Sequence, residues 1–199
     1  MKQMENKLQY ISRYLGLLCL VVLFIYIVIY TNSEIQDPDI WLHLKTGELI
    51  VQNKSLPTAD HFSFTLNSGK WIDHEWLFQV LVYLLYHNFG ASGLIFIQSF
   101  CISVMFLLLL FFNTKEDNHF IILAVLLITL FATKTRINIR PEIFSVLFFI
   151  LSLFMLKKYL EKKAIFFLVP LQVLWANMHG YFILGPLLAL IVLAGEFIE

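Results

Sequence analysis

Long apolar runs alternate with short polar segments along most of the chain. A bilayer core is crossed by about 20 predominantly apolar helical residues, and shorter runs need flanking side chains or local thinning of the bilayer. The pattern predicts an all-α integral membrane protein forming a single membrane domain over residues 1–199. Its transmembrane helices are expected at about residues 11–30, 94–112, 119–134, 142–157, 164–177 and 181–198.

The polar segment at about residues 31–93 is predicted to carry two helices that lie on the membrane surface. Asp37 suits a helix N-cap and Pro38 the first helical position, so the first of these helices is predicted to start here. Its apolar and polar residues fall on two faces, as is typical of an interfacial helix. The apolar face would hold Ile40, Leu44, Gly47 and Val51, and the polar face Asp39, His43 and Thr46.

The second surface helix is predicted at about Glu75–Asn88, with Asp73 as its cap and Phe89-Gly90 at its end. At 1.5 Å per residue it would measure about 21 Å, which is too short to cross a bilayer comfortably. The alternative is a tilted span, which would invert the topology of everything after it. Between the two helices, alternation over His61–Leu66 favours a short extended segment.

Composition supports a membrane protein and argues against a soluble domain. The hydrophobic fraction is 59% and the charged fraction 14%, against about 45–50% and about 25% in soluble globular proteins. The formal net charge is zero, and no basic patch with interleaved aromatic residues indicates nucleic acid. Cys19 and Cys101 both lie in apolar runs, which favours packing roles over a disulfide or a metal site.

Basic residues predict a cytoplasmic N-terminus. The first apolar run is followed by Tyr30-Thr31-Asn32, which is not a small-residue cleavage site, so we interpret the run as a retained helix. Lys2, Lys7 and Arg13 precede it and favour the cytoplasmic side. Residues 31–93 then form an external loop. Three cations depart from this rule, because the same topology makes Lys134, Arg136 and Arg140 external.

Ionisable side chains collect on the predicted external side. A carboxylate there can take a proton from an acceptor, while an arginine fork holds a lipid-linked phosphate leaving group. A divalent metal on Asp39, His43, His74 and Glu75 is chemically possible, but no metal-ligand spacing supports it, and no cofactor is predicted. The external set includes Asp37, Asp39, His43, Asp60, His61, Asp73, His74, Glu75, Lys134, Arg136, Arg140, Glu142, Asn177 and His179.

Each of these groups also has a purely structural interpretation. The pair Asp37 and Asp39 could serve only as a helix cap and a first-turn acid, and Glu75 could do the same on the second helix. Arg136 and Arg140 could extend to lipid headgroups without binding a substrate. His179, which precedes a glycine, could be an ordinary loop residue.

Several segments together resemble the N-terminal part of bacterial multi-pass proteins of the GT-C glycosyltransferase superfamily. The most specific begins Asp37-Pro38-Asp39-Ile40-Trp41-Leu42-His43, and the likeness covers most of residues 34–186. Superfamily members run well past 199 residues, so we expect this chain to be the N-terminal part of a longer protein. The other matching segments are residues 56–65, 71–77, 140–144 and 175–180.

The resemblance implies a GT-C-like helix bundle with two juxtamembrane helices in the first external loop. It also implies transfer of a sugar from a polyprenyl-phosphate or polyprenyl-pyrophosphate donor at the outer face of the bacterial plasma (inner) membrane. Asp39 or Asp37 would be the catalytic acid, with His43 one turn on tuning or orienting it. The expected partners are the lipid-linked donor, membrane lipid and an unidentified glycan, lipid or protein acceptor. From the chemistry of the external residues themselves, we predict that the substrate-binding residues are His74, Glu75, Arg136, Arg140 and His179.

Two other functions compete with this interpretation. One is a non-catalytic membrane subunit or truncated remnant whose external loop binds a partner or a lipid headgroup. The other is a transporter. The transporter is less favoured, because ion and proton pathways place their ionisable groups near the middle of the membrane.

Overall fold

The computed structural model describes residues 14, 18, 21–32, 35, 37–60, 62, 70–112, 119–133, 138–159 and 163–198. Within these residues the predicted all-α class is confirmed, and the one β contact is an isolated bridge between Ala59 and Lys70. Short 3-10 helices at Lys163–Phe167 and Gly180–Ile183 precede the last two α-helices. The α-helices are α1 (Val21–Thr31), α2 (Asp39–Asn53), α3 (Trp76–Phe89), α4 (Ala91–Phe112), α5 (His119–Ala132), α6 (Pro141–Tyr159), α7 (Leu168–Met178) and α8 (Leu184–Ile198).

Helix α2 begins at Asp39, one residue later than the sequence predicts. Pro38 occupies the N-cap position and cannot cap with its side chain. Asp37 serves instead, since its Oδ1 accepts a hydrogen bond from the Asp39 backbone N–H at 3.1 Å. The aspartate therefore satisfies a free N–H at the helix start, as expected of a capping residue.

The prediction that α2 has an exposed polar face is wrong for His43 and Thr46. Both side chains are buried, and Thr46 is 0% exposed. His43 lies three residues after Ile40, and Thr46 lies four residues before Ile50, so each is on the same side of the helix as a buried apolar residue. Val51, predicted on the apolar face, is exposed instead. The packed side of α2 therefore runs through polar as well as apolar positions.

Helix α3 matches its prediction within one residue and packs tightly on α2. Asp73 Oδ1 accepts the Glu75 N–H at 3.0 Å, and Gly90 ends the helix with φ +62°. The backbones of α2 and α3 approach closely at Gly47, where an added Cβ would lie 2.1 Å from the Gln79 carbonyl oxygen. Helix α4 follows at once from Ala91, three residues before the predicted span at 94–112.

Replacing Gly47 with alanine should separate α2 from α3, since a backbone carbonyl cannot swing away like a side-chain end. We expect a loss of about 1–3 kcal/mol in unfolding free energy, typical of overpacking, measured by thermal unfolding in detergent. Gly195→Ala is the matched control, because a Cβ there meets nothing within 4 Å. Equal stability of the two variants would contradict the close approach.

Helix α6 lies at the centre of the bundle and contacts α4, α7 and α8, while α3 contacts α4 and α7. Aromatic rings connect these helices in the core. Phe78 of α3 lies edge-on to Phe144 of α6, with ring centroids 5.8 Å apart. Phe148 of α6 meets Trp175 of α7 at 6.1 Å, and Trp175 is 0% exposed. The N-terminal end of α6 is thus held against α3 and the C-terminal end of α7.

Apolar side chains also cover much of the outer surface. Large exposed apolar residues occur along α1, α5, α7 and α8, among them Phe131 at 74% and Val169 at 64%. By length and composition, two helical stretches in the described residues could cross a membrane, Ala91–Leu110 and Gly180–Ile198. Val21–Thr31 and Ile165–Met178 are apolar but shorter. Cys101 is a buried free thiol, as predicted, whereas Cys19, His61 and residues 63–66 lie outside the described part.

Candidate active site

The segments before α2 and before α6 are joined by an ion pair between Asp37 and Arg140. Arg140 Nε donates to Asp37 Oδ2, and Nη2 donates to Oδ1 at 3.0 Å. The Asp37 side chain is 1% exposed. Burial by itself would raise the pKa of Asp37, but the hydrogen bonds from Arg140 and the Asp39 N–H lower it below its usual value. Asp37 therefore stays ionised and fully engaged, which suits a structural role better than proton transfer.

Asp39, the other predicted catalytic acid, is accessible. Its side chain is 65% exposed, and its Oδ2 lies 3.8 Å from Arg140 Nη2. It occupies the first turn of α2, where the helix dipole favours a carboxylate. The structure thus gives the two aspartates different surroundings, and Asp39 is the one that is accessible to solvent.

His43 lies one turn after Asp39 but is buried. Its ring stands edge-on to Phe78, with centroids 5.0 Å apart. Burial lowers the pKa of His43 below 6.5, even though the nearby carboxylates, Asp39 first among them, act to raise it. Its Nδ1 has no hydrogen-bond partner among the described residues. His43 is therefore neutral at pH 7, and the negative charge of Asp39 acts through space on the protonation of its ring.

Glu75 and His179 meet between the start of α3 and the end of α7. Glu75 Oε1 lies 3.6 Å from His179 Nε2, and His179 Nδ1 is hydrogen-bonded to Ser145 Oγ at 2.7 Å. Burial raises the pKa of Glu75 to about 7, with Asp73 and Glu142 adding to the effect. Burial lowers the pKa of His179. At neutral pH the glutamate is therefore close to half ionised beside a neutral imidazole.

Ser145, His179 and Glu75 are the residue types of a nucleophilic triad, but their arrangement favours a structural network. Ser145 is 3% exposed, and its Oγ also accepts a hydrogen bond from Trp175 Nε1 at 2.8 Å. A substrate carbonyl could not reach this oxygen without rearrangement of the core. The network fixes the position of His179, which the sequence alone would leave as a loop histidine.

Glu142 is the member of the site to which sequence reasoning assigned no role. Its negative charge acts to raise the pKa values of His43, Glu75, Arg140 and His179. It lies in the first turn of α6, directly after Arg140-Pro141. Adjacency to Arg140 was the signal that could have identified it, although a first-turn acid is also an ordinary helix feature.

Not every predicted residue joins this cluster. His74 is exposed and has no hydrogen bond or ion pair among the described residues. Arg136 and Lys134 lie outside the described part of the chain. The described residues contain no group of three or more potential metal ligands, so the divalent metal considered for the first external loop gains no support.

An apolar cavity of about 370 Å³ opens beside the charged cluster, between α4, α5 and α6. Arg140, Glu142 and Asn138 are its charged and amide-bearing lining residues. Tyr181 also lines it and contacts the His179 ring, with centroids 4.4 Å apart. Most of the remaining lining is apolar, from residues such as Met105, Phe106, Val146 and Ile150. The cavity thus combines apolar walls with charged groups of both signs, Arg140 and Glu142.

Comparisons of the chain with protein-family models, with curated proteins and with solved structures find no match.

Proposed function

We propose that this protein is a membrane-embedded glycosyltransferase of the GT-C type. In this proposal it uses a polyprenyl-phosphate-linked sugar at the outer face of a bacterial cell membrane. The exposed apolar side chains of α1, α5, α7 and α8 support a lipid environment, because monomeric soluble proteins rarely expose large contiguous apolar surfaces. The two helical stretches long enough to cross a bilayer add to this support. The N-terminus would be cytoplasmic, and α2 and α3 would lie at the external surface.

One observation carries the catalytic part of the proposal. An exposed carboxylate, Asp39, lies 3.8 Å from the guanidinium of Arg140, and Arg140 also lines the apolar cavity. A general base, an anion-binding group and a site for an apolar chain are therefore neighbours. Those are the requirements of sugar transfer from a lipid phosphate.

The reaction follows from this arrangement. Asp39 takes the proton of an acceptor hydroxyl, whose oxygen forms a bond to the anomeric carbon of the sugar. The bond between that carbon and the phosphate oxygen breaks, and the polyprenyl phosphate leaves with the bonding electrons. Asp37 engages Nε and Nη2 of Arg140, so Nη1 is the nitrogen left to hold the leaving phosphate.

The same pairing favours a second candidate function. Because Asp37 already neutralises Arg140, the cluster could be a structural clamp in a non-catalytic membrane subunit that binds a lipid headgroup or a protein partner. This candidate predicts binding of anionic lipid without any transfer of sugar. The two functions therefore differ in turnover, and lipid affinity alone does not separate them.

Filling the cavity should weaken donor binding. Val146 lines the cavity and is 51% exposed, so Val146→Trp should block the apolar chain without disturbing the core. Excluding two methylene groups costs about 1.6 kcal/mol, so we expect affinity for a polyprenyl phosphonate to fall at least about tenfold in a titration. Val125→Trp, on an exposed apolar position of α5 outside the cavity, is the control. Unchanged affinity in both variants would show that the donor does not bind in the cavity. Absence of binding by the wild type would refute the proposal that the donor is a polyprenyl phosphate.

A further inference from the structure

The cluster around Arg140 carries more negative charge than a phosphate-binding site would be expected to tolerate. Asp37 neutralises the charge of Arg140. Arg140 is the one cation that the described residues contribute to this cluster. Burial keeps His43 and His179 neutral at pH 7. The carboxylates of Asp39 and Glu142 add negative charge beside Arg140, and Glu142 acts in turn on Glu75. An incoming anion is repelled by this excess unless one carboxylate takes up a proton.

Glu75 is the carboxylate placed to do so. It is half-buried, with a side chain 28% exposed, and Asp73 on its own segment and Glu142 on α6 both act against its ionised form. From the α7 side it faces His179. Burial and these neighbours raise its pKa to about 7, so a small change in local charge changes its protonation at physiological pH.

Two hydrogen bonds fix the positions of Glu75 and His179 relative to each other. Trp76, the residue after Glu75, donates from Nε1 to Asn177 Oδ1 at 2.8 Å. Ser145 Oγ holds His179 Nδ1 at 2.7 Å. If His179 carries its proton on Nδ1 and donates it to Ser145, its Nε2 is left as an acceptor facing Glu75. Glu75 Oε1 lies 3.6 Å from that nitrogen, slightly beyond hydrogen-bond distance, so a protonated Glu75 that moves closer by a few tenths of an ångström donates to it, which stabilises the neutral acid.

We propose that Glu75 takes up a proton from solvent when a phosphate-bearing lipid binds at Arg140, so that binding of the lipid strengthens as the pH falls. This inference rests on the proposed function, since it assumes that the anion binds beside Arg140 and Glu142. Glu75 acts here as a positioning residue that adjusts the charge of the site. It need not touch the sugar.

Titration calorimetry with a methyl polyprenyl phosphodiester tests this, because a phosphodiester keeps one negative charge throughout the neutral pH range. At pH 7, in buffers of different ionisation enthalpy, the wild type should take up as much as about half a proton per bound lipid, given a pKa of about 7. If binding raises that pKa by one unit, affinity should be about fivefold tighter at pH 6 than at pH 8.

Glu75→Gln should abolish both the proton uptake and the pH dependence. Glu48→Gln is the matched control, because Glu48 pairs with Lys45 on α2 and should leave both unchanged. Thermal unfolding confirms that each variant folds. Because the pKa of Glu75 is raised in the folded state, its protonation stabilises the fold. This stabilisation is complete below the usual pKa near 4.5 and is lost as the pH rises through about 7. Wild-type Tm should therefore fall between pH 6 and pH 8 by more than that of Glu75→Gln.

The possible outcomes separate this inference from the proposed function. Binding without proton exchange, or proton uptake that persists in Glu75→Gln, would overturn the inference and leave the proposed function standing. Absence of binding to the wild type at every pH would overturn both.

Discussion

Replacing Asp39 with asparagine should lower the rate of sugar transfer by about 10²–10⁴-fold, the usual effect of removing a general base. The Asp39 side chain is 65% exposed, and the amide keeps nearly the same shape, so unfolding temperature and donor affinity should stay close to those of the wild type. The measurement is initial rate with a radiolabelled polyprenyl-phosphate sugar, alongside thermal unfolding of the same preparation.

Asp37→Asn is the informative comparison, because both aspartates match the motif but only Asp39 is exposed. This substitution removes the charge that pairs with Arg140, so the variant should lose stability as well as activity. If Asp39→Asn keeps full activity and Asp37→Asn loses it at unchanged stability, the catalytic acid is Asp37. If both variants keep full activity, this motif does not catalyse the transfer.

Removing Arg140 should have the largest effect on stability. Arg140→Ala leaves the Asp37 carboxylate buried without its partner, a change that commonly costs about 3–5 kcal/mol. Because the Arg140 side chain is 39% exposed, solvent screening places the expected loss near the lower end, about 3 kcal/mol. Unfolding by heat or denaturant in detergent would measure it.

A double variant distinguishes an uncompensated charge from lost packing. Arg140→Ala with Asp37→Ala removes the buried carboxylate along with its partner, so it should be more stable than Arg140→Ala alone. If the double variant is as unstable as the sum of the two single variants, the ion pair does not couple the starts of α2 and α6.

Local signals explain which elements the sequence predicts well. Asp73 before α3 and Gly90 after it are recognisable start and stop residues, and α3 lies within one residue of its prediction. Burial of His43 and Thr46 on α2 was not predictable in the same way, because it depends on the packing of α3 against Gly47. From a single sequence, polar residues on a helix are predicted to face solvent, because the element that packs against them is not known.

The candidate site shows the same limit. The motif around Asp37 and Asp39 predicted this segment as the site, but the different surroundings of the two carboxylates come from Arg140, which is 103 residues from Asp37. The fixed position of His179 depends on Ser145, which no motif highlighted. Long-range pairs of this kind leave no periodic signal in a single sequence. Insertion in a membrane, the topology across it and the transfer of a sugar remain predictions.

Sugar transfer by the reconstituted chain tests the central claim most directly. Vesicles would contain the protein, a radiolabelled polyprenyl-phosphate hexose or pentose, and a bacterial envelope extract as the source of acceptor. We predict that label moves from the lipid fraction to an acceptor with the wild type and stays on the lipid with Asp39→Asn. Label that remains on the lipid with every donor, while the wild type still binds polyprenyl phosphodiester, would contradict the account and favour a non-catalytic lipid-binding subunit.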